Sequence, residues 1–365
     1  MKNKEEFIQL VKENKLVLYG AGNLSKIVKR ILTNHGINIS YFLDNNANNI
    51  VSVDNVPVFT LGNESSANKS DYIVIVSAYN LFFDLNQIRK SLTEHGYSVI
   101  YSFLDFYKFF ADEIGDSYWL TGHPEKYLLP DEVVNVGKLF EDEKSRFIFE
   151  TTVAARLQFN YDLLPTPSPI AEVYFPPDVP LNKASVFIDC GAFDGDTIAL
   201  LPGFSSTIQH VIALEPDVEN YKKLALRSKT EFSSKFSTIT AIPCGCWSES
   251  KPLHFNSGLG VSSNVTESGT TFIQGVALDD IIVNIKPDYI KMDIEGAEYE
   301  ALLGGKQLIL KYQPDLAICL YHKSVDLLRI VKLLDEWNLN YSFYLRQYGF
   351  FGFDLVLYAV RKNIE

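Results

Sequence analysis

Asp189-Cys190-Gly191-Ala192-Phe193-Asp194-Gly195-Asp196-Thr197 follows the short apolar run Val186-Phe187-Ile188, and its reading decides the fold. A β-strand ending in an acid, a glycine turn and then a helix is the opening of a doubly wound parallel sheet. The glycines are spaced G-x-x-x-G, so the G-x-G-x-x-G that lets backbone approach a pyrophosphate is missing. Acids at such a bend repel a diphosphate. They suit a ligand carrying an ammonium, a sulfonium and ribose hydroxyls, and S-adenosylmethionine is such a ligand. The next apolar run, His210 to Leu214, ends at Glu215-Pro216-Asp217. A carboxylate there can accept both ribose hydroxyl protons through charged hydrogen bonds, the stronger kind. Asp217 serves equally as an acid at a helix N-terminus.

Working outward, strand and helix signals alternate from residue 184 to the end. Strands are expected at 185–189, 209–214, 237–242, 288–293 and 315–320, and helices after Asp194, Pro216, Gly296 and Lys323. The runs 340–346 and 353–360 read as an antiparallel pair at the sheet edge. Upstream, Leu16 to Tyr19, Gly20-Ala21-Gly22, a helical run from Asn23 to Asn34 and a second strand ending at Asp44 repeat the same grammar. The expected fold is therefore α/β, with two doubly wound parallel-sheet domains: a Rossmann-like domain over residues 1–103 and a class I methyltransferase domain over 184–365. A helical connector and proline-rich linker fill 104–183. Ser25 stands where the third glycine of a dinucleotide fingerprint would be, so Gly20, Gly22 and Asp44 mark a nucleotide or sugar site only if this domain is more than structural or dimerising.

A second ionisable stretch is Pro287-Asp288-Tyr289-Ile290-Lys291-Met292-Asp293-Ile294-Glu295-Gly296-Ala297-Glu298. If the strand runs through it, Lys291, Asp293 and Glu295 share one face at its carboxyl end, where α/β folds bind ligands. Cys246-Trp247 is placed to flank an adenine, and the Gly/Ser/Thr-rich stretch 256–271, with Ser263, reads as a lid or acceptor loop. His322 follows the 315–320 strand. With its ordinary titration near neutrality it is a candidate general base, with Glu295 as rival and Lys291 as a third ionisable group in the site.

Taken together, Asp189 to Thr197, Glu215-Pro216, Leu278-Asp279-Asp280, Ile290 to Glu298 and Tyr321-His322-Lys323 resemble the FkbM family of methyltransferases. The resemblance covers roughly residues 140–360, including Asp142 to Arg156 and Tyr174-Phe175-Pro176. It implies O-methyl transfer to a hydroxyl, often of a sugar in a surface polysaccharide or a nucleotide-linked precursor. On this basis Asp189, Gly191, Ala192, Asp194, Gly195, Asp196, Thr197, Glu215, Pro216, Asp217, Cys246, Trp247 and Asp293 are expected around S-adenosylmethionine. Glu298, Tyr321, Arg346 and Ser263 are expected toward the acceptor. Gln347 departs from the family, many of whose members carry histidine after the preceding Leu-Arg.

The composition narrows the classes. Lys plus Arg is 33 against 45 Asp plus Glu, a net charge of −12, which repels phosphate backbones and anionic lipid. Nucleic acid and membrane insertion are therefore not expected as partners, whereas a small-molecule or glycan hydroxyl and a homodimer are compatible. The start is polar, and the apolar stretch 72–83 is too short to span a bilayer. Cys190, Cys244, Cys246 and Cys319 form no zinc-type spacing, which fits reduced thiols in the cytoplasm. No metal is expected, because no histidine lies near the acids in sequence. The competing readings are an NAD(P)-type oxidoreductase using the first domain, and a non-catalytic sugar-nucleotide-binding module.

Overall fold

The computed structural model describes residues 3–64, 68–256, 264–265, 269 and 271–362, with only the backbone described for 256, 264 and 265. The chain divides into two compact units. One comprises Met1–Glu125, Ala154–Thr166 and Gly349–Phe353, and the other Lys126–Val153, Pro167–Tyr348 and Asp354–Glu365. Residues 104–183 are thus shared between the units.

In the first unit a six-stranded sheet runs in the order Ser52–Val53, Val56–Phe59, Tyr41–Leu43, Lys15–Tyr19, Tyr72–Val76, Val99–Ser102. Its pairs are parallel except the first, as expected where helices return the chain to the same end. The helix Asn23–Asn34 covers the span read for it, and Leu85–Glu94 starts at Asp84, whose carboxylate caps it by accepting from the N–H groups of Asn86 and Gln87.

The second unit is built on seven strands in the order Tyr341–Gln347, Leu355–Arg361, Asp315–Cys319, Tyr289–Met292, Val186–Cys190, His210–Leu214, Thr238–Ile242. The last five are mutually parallel, and Leu355–Arg361 runs antiparallel to both of its neighbours. The terminal hairpin at the sheet edge is therefore present. Its strands lack polar alternation because both faces are covered: from Leu355 to Val360 every residue is buried. A four-stranded sheet also belongs to this unit, pairing Gly245–Cys246, Thr271–Val276, Lys251–Asn256 and Asn264–Val265. Most of the expected lid, including Ser263, lies outside the described residues.

Two packing devices hold the edge. Arg346, 1% exposed, donates from Nη2 to Asp142 Oδ2 at 2.6 Å and from Nε to Asp178 Oδ2 at 3.0 Å, while Nη1 reaches Ser145 Oγ at 2.9 Å. Asp315 accepts from Asn182 and from the Arg361 N–H, tying the start of one strand to the end of its neighbour. Among the described residues, no helix is long and apolar enough to cross a membrane.

Candidate active site

The site forms at the carboxyl ends of four adjacent parallel strands, Asp315–Cys319, Tyr289–Met292, Val186–Cys190 and His210–Leu214. From Val186–Cys190 the chain turns at Gly191, with φ +81°, and Gly191 and Ala192 both donate to Leu214 O at 3.0 Å. Only glycine fits this turn, and the reason is the neighbouring backbone. A Cβ on Gly191 would lie 1.9 Å from the carbonyl oxygen of Asp293. The bend is pressed against the neighbouring strand end, and backbone packing demands the glycine. Gly195, φ +90°, starts the helix Asp196–Phe204, and there a Cβ would meet Phe232 at 2.7 Å.

Glu215 sits under this bend. Its Oε2 accepts from the Phe193 N–H at 2.9 Å and its Oε1 from the Asp217 N–H at 2.8 Å. Burial pushes its carboxyl up to about 7 against those two hydrogen bonds. Each carboxylate oxygen keeps a further acceptor site, so two ribose hydroxyls fit the chemistry of this group. Asp217 is the N-cap of Val218–Thr230, accepting from Glu219 and Asn220, and so is held by the helix rather than offered to a cofactor. Asp194 is drawn away in the same manner: Arg227 Nη1 pairs with its Oδ1 at 3.0 Å. Asp196 turns its Oδ1 back to the Thr197 N–H, whereas Ala192 and Thr197 are buried behind the bend. Cys246 is buried, and Trp247 is half-buried with its backbone packed against Gly304. All four cysteines are free and buried.

Asp189 and Lys291 face each other across the sheet in register, Nζ to Oδ1 2.9 Å, both shielded from solvent. Lys291 also donates to Gly191 O at 2.7 Å. Burying an ammonium and a carboxylate costs several kcal/mol each, so this pair persists through mutual attraction and that extra bond. Burial would lower the Lys291 value, but Asp189 and Asp293 outweigh it and hold the ammonium charged. Burial lifts Asp189 to about 6, against the pull of Lys291. Lys291 is therefore no proton acceptor, and Asp189 reaches the bend through Lys291 rather than by presenting oxygens to a ligand. Both residues position Gly191.

The expected shared strand face also needs correction. The strand ends at Met292, and Glu295, φ +55°, lies in a turn before the helix Glu298–Gly304. Asp293 is gathered by two hydroxyls: Tyr174 donates to Oδ2 at 2.6 Å and Tyr321 to Oδ1 at 3.3 Å. Burial opposes its ionisation, yet Lys291, His322 and Tyr174 hold its carboxyl below the ordinary value.

His322, from the end of the next strand, has carboxylates at both ring nitrogens. Nδ1 is 2.8 Å from Glu298 Oε1, and Nε2 is 3.4 Å from Asp293 Oδ1 and 3.7 Å from Glu295 Oε2. Burial would lower its value, but the three acids outweigh it and push the ring up to about 10. A ring protonated at neutral pH accepts no proton, so His322 does not fit the base expected of it. Glu295, whose side chain is 23% exposed, stands beside it with its carboxyl pushed up to about 8 by burial, His322 opposing.

The acceptor-side expectations divide. Tyr321 packs against His322 with the rings tilted by 38°, centroids 4.1 Å apart, and lies within the cluster. Glu298 is fully buried, accepts from the Ile294 N–H and orients His322, so it is not free for an acceptor. Arg346 is saturated by the carboxylates named above and serves the sheet edge. Two participants went unread: Tyr174, with φ +69°, and Asp354, lifted by burial and by Asp293 to about 7, with His322 opposing. The Tyr174-Phe175-Pro176 run was the available signal for the first; a lone acid before an apolar strand gave none for the second.

In the first unit, Asp44 accepts from the Ala21 N–H at 2.7 Å and Gly22 caps the Asn23–Asn34 helix without a side-chain bond. Gly20 and Asp44 line a cavity of about 370 Å³ with Tyr19, Phe82 and Phe83, while Gly22 is not in its wall. Ser25 is buried and bonded to Ser77 Oγ at 2.8 Å, which accounts for the missing third glycine.

With this geometry in place, comparison with known proteins is informative. Residues 189–350 match the profile of the methyltransferase FkbM domain. These residues form an FkbM methyltransferase domain. The FkbM methyltransferase of Methylobacillus flagellatus KT superposes with a TM-score of 0.77 at 20% identity, over 98% of this chain and 93% of that one, so the fold is shared throughout. An O-methyltransferase of Bacillus cereus, solved in complex with SAH, aligns with 67% of this chain and 98% of its own at 16% identity and a TM-score of 0.32. No curated protein matches the chain. The methyltransferase domain thus places Asp189, Gly191 and Glu215 on one side of its central strand end, and Asp293, Glu295 and His322 on the other.

Proposed function

We propose that the methyltransferase uses S-adenosylmethionine and methylates a hydroxyl, with a sugar as the acceptor class. The observation that carries the cofactor is Glu215: a buried carboxylate at the strand end beside Gly191, pinned by two backbone N–H groups and retaining acceptor capacity on both oxygens. The cations that bond into this bend, Lys291 and Arg227, are already committed to Asp189 and to Asp194 and Glu231. A diphosphate therefore finds no compensating charge from them, whereas a ribose and a cationic donor find acids.

When bound, S-adenosylmethionine supplies a methyl carbon already activated by its sulfonium. The chain's part is alignment, an effect worth effective molarities of about 10⁵–10⁸ M. Glu215 orients the ribose, and Lys291 holds the Gly191 carbonyl and so the bend. Asp293, kept ionised by Lys291 and Tyr174, faces positive charge. Glu295 takes the acceptor proton in its ionised form, which predominates only above the value of about 8 to which burial lifts it; the Asp293 oxygens already accept from Tyr174 and Tyr321. The acid-rich wall suits an acceptor bearing several hydroxyl donors, which favours a sugar over a thiol.

Calorimetry with S-adenosylmethionine, its demethylated product and NAD tests the cofactor. Binding of the first two without NAD is expected, and the reverse pattern overturns the reading. Screening monosaccharides and nucleotide-linked sugars for the mass gain of one methyl group tests the acceptor class.

A further inference from the structure

Asp293 and His322 follow two adjacent parallel strands, Tyr289–Met292 and Asp315–Cys319, and Glu298 opens the helix that follows the first. The three side chains offer one ligand atom each, all within 4.8 Å of one another. Oxygen and imidazole ligands stand about 2.0–2.2 Å from a tetrahedral zinc-like ion, so neighbouring ligands lie roughly 3.3–3.6 Å apart. His322 Nε2 and Asp293 Oδ1, 3.4 Å apart, already meet that separation, and Glu298, now at Nδ1, is the ligand that must move in.

Two further observations point the same way. The Glu298 side chain is fully buried, and among the described residues its Oε2 has no hydrogen-bond partner, although Oε1 serves Ile294. Such an oxygen is costly unless something positive completes it. The surroundings are also rich in carboxyls, since Glu295 and Asp354 join Asp293 and Glu298 around the His322 imidazole, with Lys291 the other cation acting on Asp293. Buried charges of one sign are stable when paired or when they coordinate a metal.

We infer that Asp293, Glu298 and His322 hold a divalent cation of the Mn²⁺ or Zn²⁺ type. One imidazole nitrogen with two carboxylates is the donor set that such borderline ions accept, more readily than Mg²⁺, which prefers oxygen alone. One ring nitrogen of His322 gives up its proton to the solvent and its lone pair to the ion. Tyr174 and Tyr321 hold Asp293 in place as partners outside the ligand set, an arrangement that orients ligating carboxylates. The expectation of no metal rested on sequence distance, and the strand order brings the histidine to the acids. If the methyl-transfer reading holds, and only then, the cation has a role: it anchors the acceptor hydroxyl beside Glu295 and favours its deprotonated form.

The test titrates Mn²⁺ into the metal-stripped full chain by calorimetry, with Co²⁺ absorption as a second readout. One equivalent is expected to bind. Affinity should fall at least about tenfold in Asp293→Asn, Glu298→Gln and His322→Ala, and the Co²⁺ bands should change in the last. A wild-type chain that takes up none of Mn²⁺, Zn²⁺ or Co²⁺ overturns the inference whether or not the variants fold. So does equal uptake by wild type and the three folded variants. Binding of S-adenosylhomocysteine, measured on the same samples, separates the two readings: nucleoside without metal sinks only the cation, and metal without nucleoside sinks only the methyl-transfer proposal.

Discussion

The Asp293 carbonyl oxygen lies where a side chain on Gly191 would have to be, 1.9 Å from its Cβ position. One backbone atom thus couples the bend over Glu215 to the acid cluster around His322, and a methyl group there disturbs both.

Gly191→Ala combines overpacking, about 1–3 kcal/mol, with a left-handed backbone, about 1–2 kcal/mol for a non-glycine residue. A loss of about 2–5 kcal/mol is expected in urea unfolding, with weakened nucleoside binding in whatever remains folded. A variant as stable as wild type would show that the bend is not pressed against Asp293.

Glu215 sets a pH dependence. Its carboxyl, ordinarily near 4.5, is lifted to about 7, and only the ionised form accepts from two ribose hydroxyls. Affinity for S-adenosylhomocysteine should therefore fall as the pH drops below about 7, and Glu215→Gln should abolish that slope and weaken binding by roughly 1.5–3 kcal/mol at pH 8. The sign for stability is opposite. Between about 4.5 and 7 the folded chain holds a proton that the unfolded chain has lost, so this group's contribution declines as pH rises through that window.

Arg346→Met should remove about 2–4 kcal/mol of stability at neutral pH by stranding Asp142 and leaving Asp178 to Lys144 alone. The figure sits below the usual cost of breaking a buried pair because both acids are partly solvated. Burial opposes ionisation of these acids, but Arg346 holds Asp142, and Lys144 together with Arg346 holds Asp178, below the ordinary 3.8. The stability they contribute is full above that value and is lost as pH falls through their lowered values. Unfolding curves at pH 7 and pH 3 should show wild type and variant converging in acid.

Glu295→Gln should keep nucleoside affinity and lower methyl transfer by about 10²–10⁴, the usual worth of a positioned base. Single-turnover product release on the acceptor found by screening measures this. A loss below tenfold would remove Glu295 from the role.

The parallel framework was legible because Val186 to Ile188, His210 to Leu214 and Asp315 to Leu320 are apolar runs of strand length, each ending in a turn or an acid. Glu215 was legible for the same reason: it stands one residue past a buried strand. His322 could be named as important but not understood, since its partners come from a turn 24 to 29 residues earlier and meet it only through strand order. Arg346 misled because a cation in an edge strand looks exposed, and nothing local reveals that Asp142 and Asp178 close over it. Tyr174 was hidden by its left-handed backbone, which proline-rich surroundings do not announce.

The strand Leu355–Arg361 is inserted between Tyr341–Gln347 and Asp315–Cys319, so the late-made part of the chain fills an inner slot of the sheet. During synthesis the Asp315–Cys319 strand waits with a bare edge until residue 361 has emerged. His322 is anchored at the end of that waiting strand, so a ribosome-bound nascent chain exposes a sticky seam before it can organise its chemistry.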